Sequence, residues 1–226
     1  GRVALRAIHF PRDQPELRSA KRRLKFDELF LIQLLLARLR QRSRTDEDAP
    51  RLGPSGPQLE RFLDEVLPFT LTGAQEEAIA AIGEDVRGPE RMNRLLQGDV
   101  GSGKTVVAVA AMLMAIDHGY QTAFMAPTEI LAEQHFRSLR TYLDSLGVSI
   151  RLLVGGMSKA ERERSRREIA TGEIDVAGGT HALIQSGVEF ERLGLAVIDE
   201  QHRFGVGQRA EMFEKGTLPH TLLMTA

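Results

Sequence analysis

The octapeptide Gly98, Asp99, Val100, Gly101, Ser102, Gly103, Lys104, Thr105 is where residue type and spacing most directly imply chemistry. It fits the pattern G-x-x-x-x-G-K-[ST], with an apolar run before it and a helical pattern after it. Glycines at 98, 101 and 103 let the backbone curl and turn its N–H groups toward phosphate oxygens. A helix starting at Lys104 adds the positive end of its dipole. Lys104 brings a point charge for the outer phosphates, and Thr105 a hydroxyl for Mg²⁺, a hard cation that prefers oxygen. The expected ligands are therefore ATP and Mg²⁺, and the competing reading is a glycine-rich turn that happens to contain Lys-Thr.

A nucleotide loop of this kind needs a carboxylate for the metal, placed at the end of a neighbouring strand. Asp199 follows the apolar run Leu195 to Ile198 and fits that need. Glu200, next to it, is the candidate general base for water. Read alone, the two acids could simply favour the start of a following helix. Catalysis is accordingly assigned to Lys104, Asp199 and Glu200.

Around these residues, strands alternate with helices from residue 73 onward. Helices are expected at 73–82, 104–118, 129–146 and 159–171. Strands are expected at 92–97, 121–126, 148–154, 174–177, 195–199 and 221–225, with a short turn or helix at 181–185. This alternation implies an α/β fold with a parallel sheet and helices on both faces. Ligands of such sheets sit beyond the carboxyl ends of the strands, where the motifs fall. Upstream, residues 1–10 alternate weakly and are expected to form a strand. Leucines recurring at three- and four-residue steps predict a helix from about 16 to 44. The polar stretch 44–57, with three prolines and two glycines, reads as a loop. The expected division is 1–57, an N-terminal strand, linker helix and loop, and 58–226, the nucleotide-binding domain.

Composition narrows the function. The 226 residues carry a formal net charge of -1, so any nucleic-acid contact must be local. Cysteine is absent, which excludes disulfides and thiolate metal sites and fits a reducing, cytoplasmic setting. No tryptophan and only two tyrosines make aromatic stacking platforms for bases an unsuitable explanation. No apolar run approaches about 20 residues, so no membrane-spanning helix is expected.

Together, GDVGSGKT and DEQH resemble the first motor domain of a superfamily 2 helicase or translocase, with a RecA-like fold. The longer strings GDVGSGKTVVAVAAM, APTEILAEQH, GTHALIQ and DEQHRFGVGQR are similar to RecG-type DNA helicases, which remodel stalled forks and Holliday junctions in recombination and repair. The transcription-repair coupling factors have DEEQRFGV where this chain has DEQHRFGV, so Gln201 and His202 favour the RecG type. LRAIHFP and KRRLKFDELFLIQL resemble the segment joining the wedge domain of that family to its motor.

The resemblance carries further roles. PFTLTGAQ is similar to the family's Q motif, which implies adenine recognition by the Gln75 amide with Phe69 packing nearby; the alternative is an exposed glutamine on a helix. Pro127 and Thr128 in motif Ia, and Gly179, Thr180 and His181 in motif Ic, are implied to meet DNA phosphates. The threonines also suit helix N-caps, and His181 suits capping or packing equally well. Gln201 and His202 are implied to couple nucleotide to DNA, Thr225 to begin motif III, and Gln208 and Arg209 to touch DNA or a second domain. ERERSRRE (161–168) reads as a solvated mixed-charge face. KRRLK (21–25) suits duplex DNA and a solvated face equally.

The implied partners are branched DNA, a second RecA-like domain and the wedge domain of the same protein, with no membrane and a monomeric state. The chain is accordingly expected to be part of a longer protein, interrupted at motif III, and nearly inactive alone. Two alternatives stand beside this: the motor of a coupling-factor-like duplex translocase, and a non-motor module that binds nucleotide as a structural ligand.

Overall fold

The computed structural model describes residues 2–44, 50–53, 55–180, 183, 188–199 and 219–226, with side chains of 39–44 left out. The chain divides into two compact units, Gly1–Asp46 and Glu47–Ala226. The first holds α1 (Arg2–His9) and α2 (Gln14–Arg44). The strand expected over residues 1–10 is thus a helix. Ala4 and Ala7 lie three residues apart and are buried, packing with Ala20 and alongside Ile8 and Leu24. A three-residue step of small apolar residues suits a helix pair better than a strand. The helix expected near 16–44 is present and begins two residues earlier.

The second unit takes in residues 50–57, which the sequence groups with the N-terminal segment. Pro57 opens a short helix, α3 (Pro57–Arg61), followed by one π-helical turn over Phe62–Val66. Its wide hydrogen bond runs from the Leu67 N–H to the Phe62 carbonyl at 3.1 Å. Next come α4 (Gly73–Arg87), β1 (Asn93–Gln97), α5 (Lys104–Ile116), β2 (Gln121–Met125) and α6 (Glu129–Leu146). β3 (Ile150–Leu153), α7 (Lys159–Ala170), β4 (Val176–Gly179), β5 (Leu193–Ile198) and β6 (His220–Thr225) complete it. α4 runs past the expected stop at Ile82, because Gly83 and Val86 are buried and packing overrides the weak helix propensity of glycine.

The six strands form one sheet in the order β1-β6-β5-β2-β4-β3. All five neighbouring pairs are parallel. Strand alternation sorts the core onto two faces. Phe124, Leu195, Val197, Leu222 and Met224 join a cluster with the apolar sides of α4, α5 and α6. Met125, Ala177 and Ile198 join the other, with Ile169 of α7. α5 is buried without interruption from Val106 to Ala115, so it is apolar all round. Among the described residues no helix is long and apolar enough to cross a membrane.

α7 is capped by a reciprocal Ser158–Glu161 box. Glu168, half-buried on the side toward β3, meets Arg164 at 2.8 Å and Arg151 of β3 at 2.5 Å. The hydrogen bond from Arg164 holds the Glu168 carboxyl below the usual carboxylate range. The mixed-charge run 161–168 thus lies on a helix as expected, with Glu161, Glu163, Arg164 and Arg167 exposed and Glu168 turned toward β3.

Segment 50–53 is clipped to the sheet by a buried histidine. His220 Nδ1 accepts from the Met92 N–H at 2.9 Å, and Nε2 donates to the Pro50 carbonyl at 2.6 Å. Those partners require the neutral imidazole with its proton on Nε2. Burial pushes its pKa below the ordinary 6.5, against the smaller pull of the Pro50 carbonyl. Above that ordinary value neither state is charged and the clip contributes fully. As pH falls below it, the unfolded chain takes up a proton that the folded chain refuses. Stability then drops by up to about 1.4 kcal/mol per pH unit until the folded pKa is reached. Thermal unfolding of wild type and His220→Gln checks this. The variant should lose about 1–3 kcal/mol at pH 7.5, and the gap should narrow at pH 5.5. An equal gap at both pH values would contradict it.

Candidate nucleotide site

The loop after β1 is tied down at its start. The Gly98 N–H donates to the Thr225 carbonyl of β6 at 3.3 Å, and the Ser102 N–H closes a turn on the Asp99 carbonyl at 3.1 Å. Gly101 and Gly103 have φ of 84° and 81°, in the left-handed region that disfavours a side chain. Gly103 is the N-cap of α5 and supplies no side-chain cap; the Val106 N–H returns to its carbonyl at 3.0 Å, and the helix start ahead of it gains no side-chain acceptor from the cap. Lys104 Nζ folds back to donate to the Gly98 carbonyl at 2.5 Å and the Asp99 carbonyl at 2.9 Å. Among the described residues its ammonium meets no carboxylate, so although Asp99 makes the loop formally neutral, the lysine charge is left to act on another anion. Val100 and Ser102 are exposed, and Thr105 is half-buried in the first helical turn.

Gln75 braces this loop from α4. Its Oε1 accepts the Thr72 N–H at 2.9 Å in a reciprocal capping box, and its Nε2 donates to the Ser102 carbonyl at 3.0 Å. A Cβ at Gly103 would overlap that amide nitrogen. An adenine edge would therefore be read with the one N–H and the lone pair that Gln75 has left. Phe69 is half exposed and borders an open cleft of about 690 Å³ floored by Leu63, Leu67, Leu71 and Ile79.

Asp199 follows β5 directly and is 9% exposed. Period-two alternation places it on the face of Leu195 and Val197, toward the cluster that holds α5 and α6. Its N–H donates to the Met125 carbonyl at 2.9 Å. Its Oδ2 lies 2.7 Å from His135 Nε2. β6 alone separates β5 from β1, so the two strands stand roughly 10 Å apart, two strand spacings. Hydroxyl and carboxylate oxygens are the hard donors that Mg²⁺ takes. No group of three or more His, Cys, Asp or Glu able to hold a metal occurs among the described residues. A cation at this edge would thus be shared with phosphate oxygens and water, as Mg²⁺ usually is.

The remaining candidates lie along the same carboxyl edge. Thr128 caps α6 through its hydroxyl, which accepts the Leu131 N–H at 3.3 Å, with Pro127 half-buried before it. Gly179 ends β4, where a Cβ would strike the Leu153 carbonyl, and Thr180 follows it half-buried. Glu129 accepts the Gly155 N–H at 2.7 Å and Arg162 donates to the Gly155 carbonyl at 2.8 Å, which fixes the turn after β3. Thr225 ends β6. His181, Glu200, Gln201, His202, Gln208 and Arg209 lie outside the described residues, as does most of the turn or helix expected at 181–185. Sequence reasoning passed over His135. Its signal was one histidine on the otherwise apolar inward stripe Ala132, Leu139, Leu143, Leu146.

The chain is 49% identical over 224 residues to the ATP-dependent DNA helicase RecG of Synechocystis sp., covering 99% of this chain and 27% of that protein. It is 51% identical over 223 residues to that of Streptococcus pneumoniae, covering 99% and 33%. It therefore spans about a third or less of these relatives. It superposes with a TM-score of 0.81 and 43% identity on a structure of RecG bound to a three-way DNA junction, covering 98% of this chain and 29% of that one. The family description that matches is DEAD/DEAH box helicase, over residues 72–226. That match starts on the threonine that caps α4 and takes in every strand of the sheet, and it is to this family that the chain belongs.

Proposed function

We propose that this chain is the ATP-binding motor half of a DNA helicase that remodels branched DNA, working with a second RecA-like domain and a wedge domain in one longer protein. The observation that carries the reading is the Lys104 ammonium, which meets no carboxylate among the described residues, with Asp199 two strands over on the same sheet edge. The RecG names of the relatives, and the three-way DNA junction bound by the similar structure, support branched DNA as the substrate. They also favour this over a coupling-factor translocase.

In this reading Lys104 and the loop N–H groups of residues 98–105 bind the phosphates, with Gln75 and Phe69 beside the base. Thr105 and Asp199 hold Mg²⁺, which neutralises phosphate charge. Glu200 orients and deprotonates the attacking water. Pro127, Thr128, Gly179, Thr180 and His181 meet the DNA backbone, and such contacts position a strand without reading its sequence. Gln201, His202, Gln208, Arg209 and Thr225 link the two sites. Residues 1–57 join motor to wedge, and the protein is cytoplasmic and monomeric.

The test is ATP turnover by the longer protein and by this chain, with and without forked DNA. Forked DNA should raise the turnover of the longer protein strongly, while the chain alone should bind Mg-ATP weakly and turn over slowly. A longer protein indifferent to DNA would overturn the reading. So would robust fork-stimulated turnover by the isolated chain, because the second domain is expected to supply the arginines that stabilise the transition state.

A further inference from the structure

We infer that His135 is a positioning residue for the metal carboxylate, holding Asp199 from α6 so that it presents a fixed face to a divalent cation. This rests on the nucleotide-site reading above and deepens it. His135 lies two helical turns beyond the Thr128 cap, on the inward stripe of α6 where its neighbours are Ala132 and Leu139. An aliphatic side chain at that position would complete an apolar stripe. Instead the imidazole rests on the buried Phe124 ring of β2, 4.9 Å between centroids at 47°, and its Nε2 reaches Asp199 Oδ2 at 2.7 Å. Both side chains are mostly buried, at 19% and 12% exposure. A carboxylate accepts and cannot donate, so His135 Nε2 carries the proton of this bond whether the ring is neutral or charged.

Three contacts thereby fix the acid. β5 sets its face, the Met125 carbonyl holds its N–H, and His135 takes one of its two oxygens. The ring in turn cannot swing away without leaving Phe124. Hydrogen bonds to a ligating carboxylate orient it, and their loss typically lowers metal affinity 10–100-fold. The same bond joins β5 to α6, the helix that begins at Thr128. The metal carboxylate and the Thr128 edge of the sheet therefore share one rigid connection.

Titration of this chain with Mn²⁺, followed by the loss of the free-ion electron paramagnetic resonance signal, tests the inference. A fluorescent ATP analogue, titrated in Mg²⁺ and in EDTA, accompanies it. His135→Leu should raise the apparent Mn²⁺ dissociation constant at least tenfold and remove most of the gain in nucleotide affinity that Mg²⁺ gives. Binding in EDTA should stay within about twofold, because the loop is intact. His135→Gln keeps a donor on a side chain of similar reach and should recover much of the metal affinity. It is the deciding variant if His135→Leu fails to fold. Unchanged Mn²⁺ affinity in a folded His135→Leu would overturn the inference while leaving the nucleotide site standing. So would equal losses with and without metal, or failure of His135→Gln to outperform His135→Leu. Absence of any nucleotide binding by the wild-type chain would instead sink the nucleotide site, and the inference with it.

Discussion

Lys104→Ala should reduce nucleotide binding to this chain by roughly two orders of magnitude or more, and ATP turnover by the longer protein by about 10²–10³-fold. Among the described residues the lysine ammonium meets no carboxylate and is held by the Gly98 and Asp99 carbonyls. Those carbonyls are near solvent and can rehydrate, so folding stability should change little. Glu200→Gln separates binding from chemistry. It removes the candidate base but leaves the loop, Thr105 and Asp199 in place. Nucleotide affinity should stay within about twofold while turnover falls by about 10²–10⁴-fold, the usual worth of general-base catalysis. A fluorescent-nucleotide titration beside a phosphate-release assay distinguishes the two variants. Full turnover in Glu200→Gln would remove Glu200 from the base role, and tight binding by Lys104→Ala would remove the loop from the phosphate role.

Phe62→Ala should cost about 3–5 kcal/mol of stability, the range for truncating a fully buried aromatic ring. Phe62 has no exposed surface and meets the Tyr142 ring of α6 edge-on, 5.6 Å between centroids at 83°. It sits in the π-helical turn that follows α3. The N-terminus of α3 is itself held by Asp117, whose two oxygens accept the Gln58 and Leu59 N–H groups at 2.9 and 3.1 Å. Losing the ring leaves a cavity between the segment at 57–66 and the α6 surface that a rigid interior closes only in part. Chemical denaturation should show the loss directly, with Phe62→Leu recovering much of it. A loss below about 1 kcal/mol would mean that the segment does not contribute to the core as its burial implies.

Period and punctuation in the sequence carry the sheet. Each predicted strand contains or overlaps an observed one, and α6 falls on its expected bounds, 129–146, because Thr128 and Gly147 mark both ends. Elements whose signal was local and ambiguous read less well. Weak alternation in RVALRAIH outweighed the Ala4–Ala7 step, since nothing in the sequence shows that Ala20 and Leu24 lie opposite. The segment 57–66 carried too short a pattern to announce a helix, and its cap comes from Asp117, 59 positions away from Gln58. At the site, the phosphate loop is legible from its spacing, and Asp199 becomes a candidate only because that loop calls for a carboxylate at the end of a neighbouring strand. His135 is not legible, because a histidine on an apolar stripe is usually an ordinary core residue. Only the register of α6 against β5 shows that it faces an acid.

The strand order also bears on how the chain assembles. Among the described residues β1 pairs with β6 alone, which lies more than a hundred residues later, and β6 also fills the space beside β5. During synthesis the sheet therefore stays split, with the phosphate-loop strand on one side and β5-β2-β4-β3 on the other. Until β6 emerges, both fragments show open edges of the kind that invite pairing with other chains. Closing a loop of this length before any contact repays it is slow. Completion of the sheet, and with it the bond from Gly98 to Thr225 that anchors the nucleotide loop, is thus a late event. Any change that weakens β6 should lower the yield of native protein in cells before it impairs the molecules that do fold.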